Sequence, residues 1–188
     1  MIASPGTSLD WKTPARFLAE INPTEVFPTL RLLLTSDGSM TAALEALVLG
    51  PIDVEVVHQG EEPLDDDTAD RLGVPPRQTA VVRHVWLTHR RRKLLYASSV
   101  LPSASLSAEL AEGLRRGSQP LGRLVDACGG TAVRDGLRIG RLQDAALAGA
   151  FGADPSERLW CRVYRLTAEG TLSAWISEVF SPHLAERR

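Results

Sequence analysis

The chain has 188 residues, 44% of them hydrophobic and 23% charged, which suits one globular domain with a substantial core. Its 21 Lys and Arg against 23 Asp and Glu leave a net charge of −2, which excludes the broad basic field of a nucleic-acid or membrane-surface binder. No apolar run approaches the ~20 residues that cross a bilayer, and Met1–Lys12 has no secretory core, so the reading is a cytoplasmic chain with a flexible tail over residues 1–12.

Thr13-Pro14 starts a short helix through Phe17, Leu18 and Ile21. Pro23 and Pro28 punctuate the chain, Leu30–Leu34 is apolar, and Ser36-Asp37-Gly38 is a turn. Ser39 caps a helix through Leu44 and Leu47, which Gly50-Pro51 stops. Ile52–Gln59 alternates as a strand, and the acidic Gly60–Asp70 reads as a loop before a helical turn at Thr68–Leu72. Residues 80–88 and 94–101 are strands joined by the polar Arg90–Lys93 turn. Ser105 or Ser107 caps a helix to Arg116, which Gly117 ends, and Pro120 starts another through Leu124 and Val125. Thr131–Leu142 is a strand and Ala145–Phe151 a short helix. Residues 159–167 and 172–180 form a second hairpin, with Gly170 in its turn. Hairpin-linked strands with interspersed helices predict one α+β domain over 1–188, its sheet antiparallel and its helices packed to one side.

Few residues stand out chemically. Cys128 and Cys161 lie outside any CxxC or Cys/His cluster, and His58, His84, His89 and His183 have no ligand spacing, so no metal is expected. Reduced thiols are the reading for the two cysteines. Arg83 shares a strand face with Val81 and Val85, and Glu178 shares one with Ile176 and Phe180. An inward arginine needs a partner, and its N–H fork matches a carboxylate. An inward Glu178 either accepts a hydrogen bond from a hydroxyl or pairs with Arg83; exposed or plain ion-paired roles stay open for both. Arg90–Lys93 reads as a solvated turn, and Arg134, Arg138 and Arg141 as a solvated face. Trp86, Trp160 and Trp175 read as core or pocket wall.

Several segments in order resemble one family. They are Leu34-Thr35-Ser36-Asp37-Gly38-Ser39-Met40-Thr41, then Arg83-His84-Val85-Trp86-Leu87 with Tyr96-Ala97-Ser98-Ser99-Val100-Leu101-Pro102. Gln119-Pro120-Leu121-Gly122-Arg123-Leu124 follows, then Arg162-Val163-Tyr164-Arg165 with Ile176-Ser177-Glu178-Val179-Phe180-Ser181-Pro182. Their order and spacing resemble the chorismate pyruvate-lyases. The resemblance implies a six-stranded antiparallel sheet and a ligand sealed under helical flaps. It implies removal of pyruvate from chorismate to leave 4-hydroxybenzoate or an isomer, with no cofactor. Substrate contacts would fall on Met40, Arg83, Leu121 and Glu178, with Arg83 on the ring carboxylate, Glu178 at the hydroxyl end, and these two as the catalytic pair. Well-known bacterial members have a second arginine at the position of Ser98. Its loss leaves two readings: Arg123, Arg134 or Arg138 holds the second carboxylate, or the substrate is altered. Recruitment to another reaction in secondary metabolism and a non-catalytic effector-sensor role are the alternatives. The expected partner is a small carboxylate, with no nucleic acid or membrane, and the expected state a monomer or small homo-oligomer.

Overall fold

The computed structural model describes residues 10–117, 119–127, 131–168 and 172–185. Six strands make one antiparallel sheet: β1 (Asp53–Pro63), β2 (Thr79–His89), β3 (Arg92–Pro102), β4 (Val133–Gln143), β5 (Arg158–Thr167) and β6 (Ser173–Phe180), in the order β1-β2-β3-β6-β5-β4. This is the expected α+β architecture. Its two hairpins fall on the expected segments, with Ala80 opposite Pro102 in β2–β3 and Cys161 opposite Val179 in β5–β6. The β2–β3 hairpin closes through Arg90 and Arg91, both at positive φ, 48° and 67°. Two left-handed residues give a turn whose twist matches the strands, a geometry usually built with Asn and Gly. In the second turn, Glu169 and Gly170 lie outside the described residues.

The helices are α1 (Pro14–Glu20), α2 (Pro28–Thr35), α3 (Met40–Val48), α4 (Asp66–Leu72), α5 (Ala108–Arg116), α6 (Leu121–Ala127) and α7 (Ala145–Phe151). Side chains of Thr13, Ser39, Asp65, Ser107 and Asp144 accept first-turn N–H groups, which would otherwise lack partners. Leu30–Leu34 belongs to a helix, and Pro28, read as punctuation, occupies its first turn. β1 continues to Pro63, so Gly60–Pro63 is strand rather than loop. The α3 C-cap is Leu49 in the left-handed region rather than a glycine. Trp11 packs over Gly140, and Lys12 bridges to Ile139 on the outer strand; residues 1–9 lie outside the described residues.

Strand alternation sorts the side chains onto two faces. On one face, α1 to α3 bury Phe17, Leu34, Met40 and Leu44 against Val85, Leu87, Leu95 and Phe180. Each fully buried leucine there contributes ~1.5–3 kcal/mol. Further along that face, α5 and α6 bury Leu110, Leu114, Leu124 and Val125 against Leu101, Tyr164, Leu166 and Ile176. Five of the seven described α-helices therefore cover this face. The other two serve the opposite one, α7 against Trp86, Tyr96, Cys161 and Val179, and α4 alongside Val100 and Trp175. Between the two helix groups on the first face, the sheet is left open to a cavity.

Candidate active site

The cavity floor is the sheet itself: Arg83, Val85 and Leu87 from β2, Ala97 and Ser99 from β3, Ile176 and Glu178 from β6, and Tyr164 and Leu166 from β5. Its roof is the start of α3, with Ser39, Met40 and Thr41, and the start of α6, with Pro120, Leu121 and Gly122. The enclosed space is about 60 Å³. Arg83 rises from the middle of this floor and is 2% exposed. One of its terminal nitrogens, Nη2, donates to the carbonyls of Gly117 (2.9 Å) and Gln119 (3.1 Å) in the connection between α5 and α6. Its Nε is buried and has no hydrogen-bond partner among the described residues. Among the described residues no carboxylate forms an ion pair with it, and burial holds its pKa below the usual arginine value. A buried cation with an unused donor and no counter-charge is costly, and an anionic ligand removes the cost.

Glu178 pairs with Arg162 rather than with Arg83. The Arg162 Nε donates to Glu178 Oε2 at 2.5 Å, and the Tyr164 hydroxyl donates to Oε1 at 3.0 Å. Arg162 is fully buried and Glu178 is 5% exposed. The second arm of Arg162 reaches upward, its Nη1 donating to the carbonyls of Leu33 (2.8 Å) and Ser36 (2.6 Å) at the end of α2. Burial disfavours the Arg162 charge, but the adjoining Glu178 carboxylate outweighs it and raises the pKa. Burial, reinforced by the same carboxylate, pushes the Tyr164 hydroxyl well above its usual value, so it stays protonated and donates. Arg83 faces Ser99 on β3, which faces Ile176 on β6, while Glu178 lies two residues further along. Strand spacing then separates the two Cα atoms by about 12 Å. They stand at two ends of one cavity.

Met40 is buried in the roof as the first residue of α3, and Leu121 is half-buried as the first residue of α6. Ser98 pairs with His84 and Ser177 on the opposite face of the sheet, away from the cavity. Of the three cations considered in its place, Arg123 is bound to both Glu45 oxygens at 2.6 Å. Arg138 pairs with Val163 on the far face and is exposed, while Arg134 lines the cavity. Trp86, Trp160 and Trp175 are packed in apolar clusters and do not line the cavity. Cys161 is buried, which pushes its thiol up to about 12; Cys128 lies outside the described residues. Sequence reasoning missed the inward placement of Arg162 and Tyr164. Alternation offered one signal, since it sets both opposite Arg165, the half-buried member of the same run.

Residues 34–188 match the family model described as chorismate pyruvate-lyase Rv2949c-like. A probable chorismate pyruvate-lyase of Pseudomonas aeruginosa (strain UCBPP-PA14) is 32% identical over 159 residues, 85% of this chain and 86% of its own length. Another from Halorhodospira halophila is 32% identical over 171 residues, covering 85% and 84%. Among solved structures, PhnF from Mycobacterium smegmatis superposes with a TM-score of 0.67 at 18% identity, over 80% of this chain and 67% of that one. Its effector domain alone gives 0.61 at 18% identity, over 77% and 89%. At such identities the likeness extends to the fold alone. The family match and the relatives agree over most of the chain, and the protein belongs to the Rv2949c-like chorismate pyruvate-lyase family.

Proposed function

We propose that the protein is a chorismate pyruvate-lyase whose chemistry takes place in the cavity between Arg83 and Glu178. The observation that carries this reading is Arg83: a buried cation with an unused N–H and, among the described residues, no carboxylate partner. The substrate's ring carboxylate supplies the missing charge. The positive end of α3, at Met40, faces the same space and adds to the field. The roof at Leu121 closes over the ring. At the far end the substrate hydroxyl meets Glu178, whose oxygens are each engaged once, by Arg162 and Tyr164, and each keep a further lone pair.

The reaction needs no redox change. The ring C–O bond to the enolpyruvyl oxygen breaks, and its electrons form the keto group of pyruvate. The hydrogen on the neighbouring carbinol carbon moves to the enol methylene, which becomes the methyl group. The C–H electrons left behind complete the aromatic ring of 4-hydroxybenzoate. Atoms and charge balance without an external base, and aromatisation drives the step. The protein's task is to hold a dianion in the reactive conformation and to stabilise charge on the departing enolpyruvyl oxygen.

The test is proton NMR of chorismate incubated with purified protein. The lyase yields pyruvate and one hydroxybenzoate, and the ring couplings identify the isomer. An effector-sensor domain, the reading favoured by the shared fold with PhnF, broadens the chorismate signals and returns them unchanged.

A further inference from the structure

Chorismate carries two carboxylates, and Arg83 answers one of them. We infer that Arg134 is the second anion-binding residue of the site, holding the enolpyruvyl carboxylate at the cavity's threshold, with the adjoining outer cleft as the exit for pyruvate. The inference rests on the lyase reading above. It starts from position. Arg134 lies on β4 opposite Leu166, on the cavity face of the sheet. It lines both the cavity and an open cleft of about 460 Å³, and among the described residues it shares that position only with Ser39. A side chain on that boundary contacts whatever passes from one space to the other.

Its bonding leaves it available. Nη1 donates to the carbonyl of Asp37 at 3.1 Å, which fixes the guanidinium against the turn before α3. The group also lies over the Tyr164 ring, 5.9 Å from its centroid. Among the described residues its Nε is buried with no hydrogen-bond partner, and the side chain makes no ion pair with a carboxylate. The competing cations are disposed of by geometry: Arg123 is neutralised by Glu45, and Arg138 points to the far face. Arg162 is inward but already neutralised by Glu178.

The outer cleft adds direction. It carries Asp37 and Asp126 on its walls, beside Gly38 and Thr131. These carboxylates disfavour an anion resting outside Arg134, so the enolpyruvyl group sits on its inner side before the reaction, and pyruvate that enters the cleft passes through it without being retained. Once the C–O bond is broken, pyruvate is held only through its own carboxylate at Arg134, next to the open cleft. The ring product stays under the roof on Arg83. The small acid therefore departs first.

The test compares a ligand that carries the enolpyruvyl carboxylate with one that lacks the enolpyruvyl group. Apparent affinity for chorismate (from initial rates where it is converted, by calorimetry where it is not) and calorimetric affinity for 4-hydroxybenzoate are measured for wild type, Arg134→Gln and Arg134→Lys, with kcat/KM for chorismate in parallel. Losing a charge-assisted contact should lower kcat/KM and chorismate affinity by at least about thirtyfold in Arg134→Gln, with a smaller loss in Arg134→Lys. Affinity for 4-hydroxybenzoate should stay within about twofold, which also shows that the variant is folded. Equal losses for both ligands would make Arg134 a structural prop, and unchanged chorismate values would remove it from the site; either result overturns the inference. If wild type binds chorismate without converting it, the lyase reading fails, while the difference between the two ligands still decides the role of Arg134.

Discussion

Arg162 and Glu178 stand side by side on β5 and β6 as a buried ion pair, Nε to Oε2 at 2.5 Å, with Arg162 also tying the end of α2 to the sheet. The pair thus links the cavity floor to the helical layer above it. Breaking such a pair from one side leaves an uncompensated charge in a dry interior. Glu178→Gln should therefore lower unfolding free energy by about 3–5 kcal/mol, read by urea denaturation. Replacing both partners with Arg162→Met and Glu178→Leu should recover most of that stability. A Glu178→Gln protein as stable as wild type would mean that the carboxylate has no structural role and serves the ligand alone.

The Arg90-Arg91 turn invites a gain instead. Both residues hold positive φ, which costs a side chain with a Cβ roughly 1 kcal/mol. The neighbouring contacts, Arg92 to the His183 carbonyl and Lys93 over the Trp86 ring, do not depend on them. Arg90→Asn with Arg91→Gly should raise Tm by about 2–4 °C for a chain of this size. Turnover should not change, because the turn is remote from the cavity. A drop in Tm would show that one of the arginines has a stabilising role of its own.

His84 makes the opposite face sensitive to acid. It is half-buried between the His58 ring (5.5 Å) and the Tyr96 ring (6.0 Å). Burial first, and then the neighbouring imidazole, hold its pKa below 6.5. The folded state thus favours neutral His84. Above the unfolded value both states are neutral and its contribution is intact. As pH falls below about 6.5 the unfolded chain takes up the proton first, so stability is lost as pH drops through the folded pKa. Melting curves from about pH 7.5 to pH 5 should show this decline in wild type and a shallower one in His84→Gln. Identical slopes would remove His84 as a cause.

Much of the sheet was legible because hairpins announce themselves locally. Alternation over 80–88 and 172–180, with polar or glycine-bearing turns, placed β2, β3, β5 and β6 and set Arg83 and Glu178 on faces they share with apolar residues. The α2 helix was not legible, because Pro28 reads equally as a breaker and as a first-turn residue; tertiary burial of Leu30, Leu33 and Leu34 decides it. The partner of Glu178 was hidden for a different reason. β5 is buried on both faces, with Cys161 and Val163 as inaccessible as Arg162, so polarity no longer marks its outward side. Ser98 shows how motif order can mislead: the segment matches, but the register turns that residue away from the cavity.

Arg83 is the residue on which the functional reading turns, and its removal separates binding from folding. Its protein bonds run to two backbone carbonyls from a single nitrogen, and no carboxylate among the described residues pairs with it. Arg83→Ala should therefore fold with an unchanged or raised Tm. The decisive measurement follows pyruvate and hydroxybenzoate together, from chorismate, with wild type and Arg83→Ala side by side. Wild type should release the two products in equal amounts, and Arg83→Ala should lose about two orders of magnitude or more in kcat/KM. Chorismate left intact by wild type, or converted equally well by a folded Arg83→Ala, would contradict the proposal.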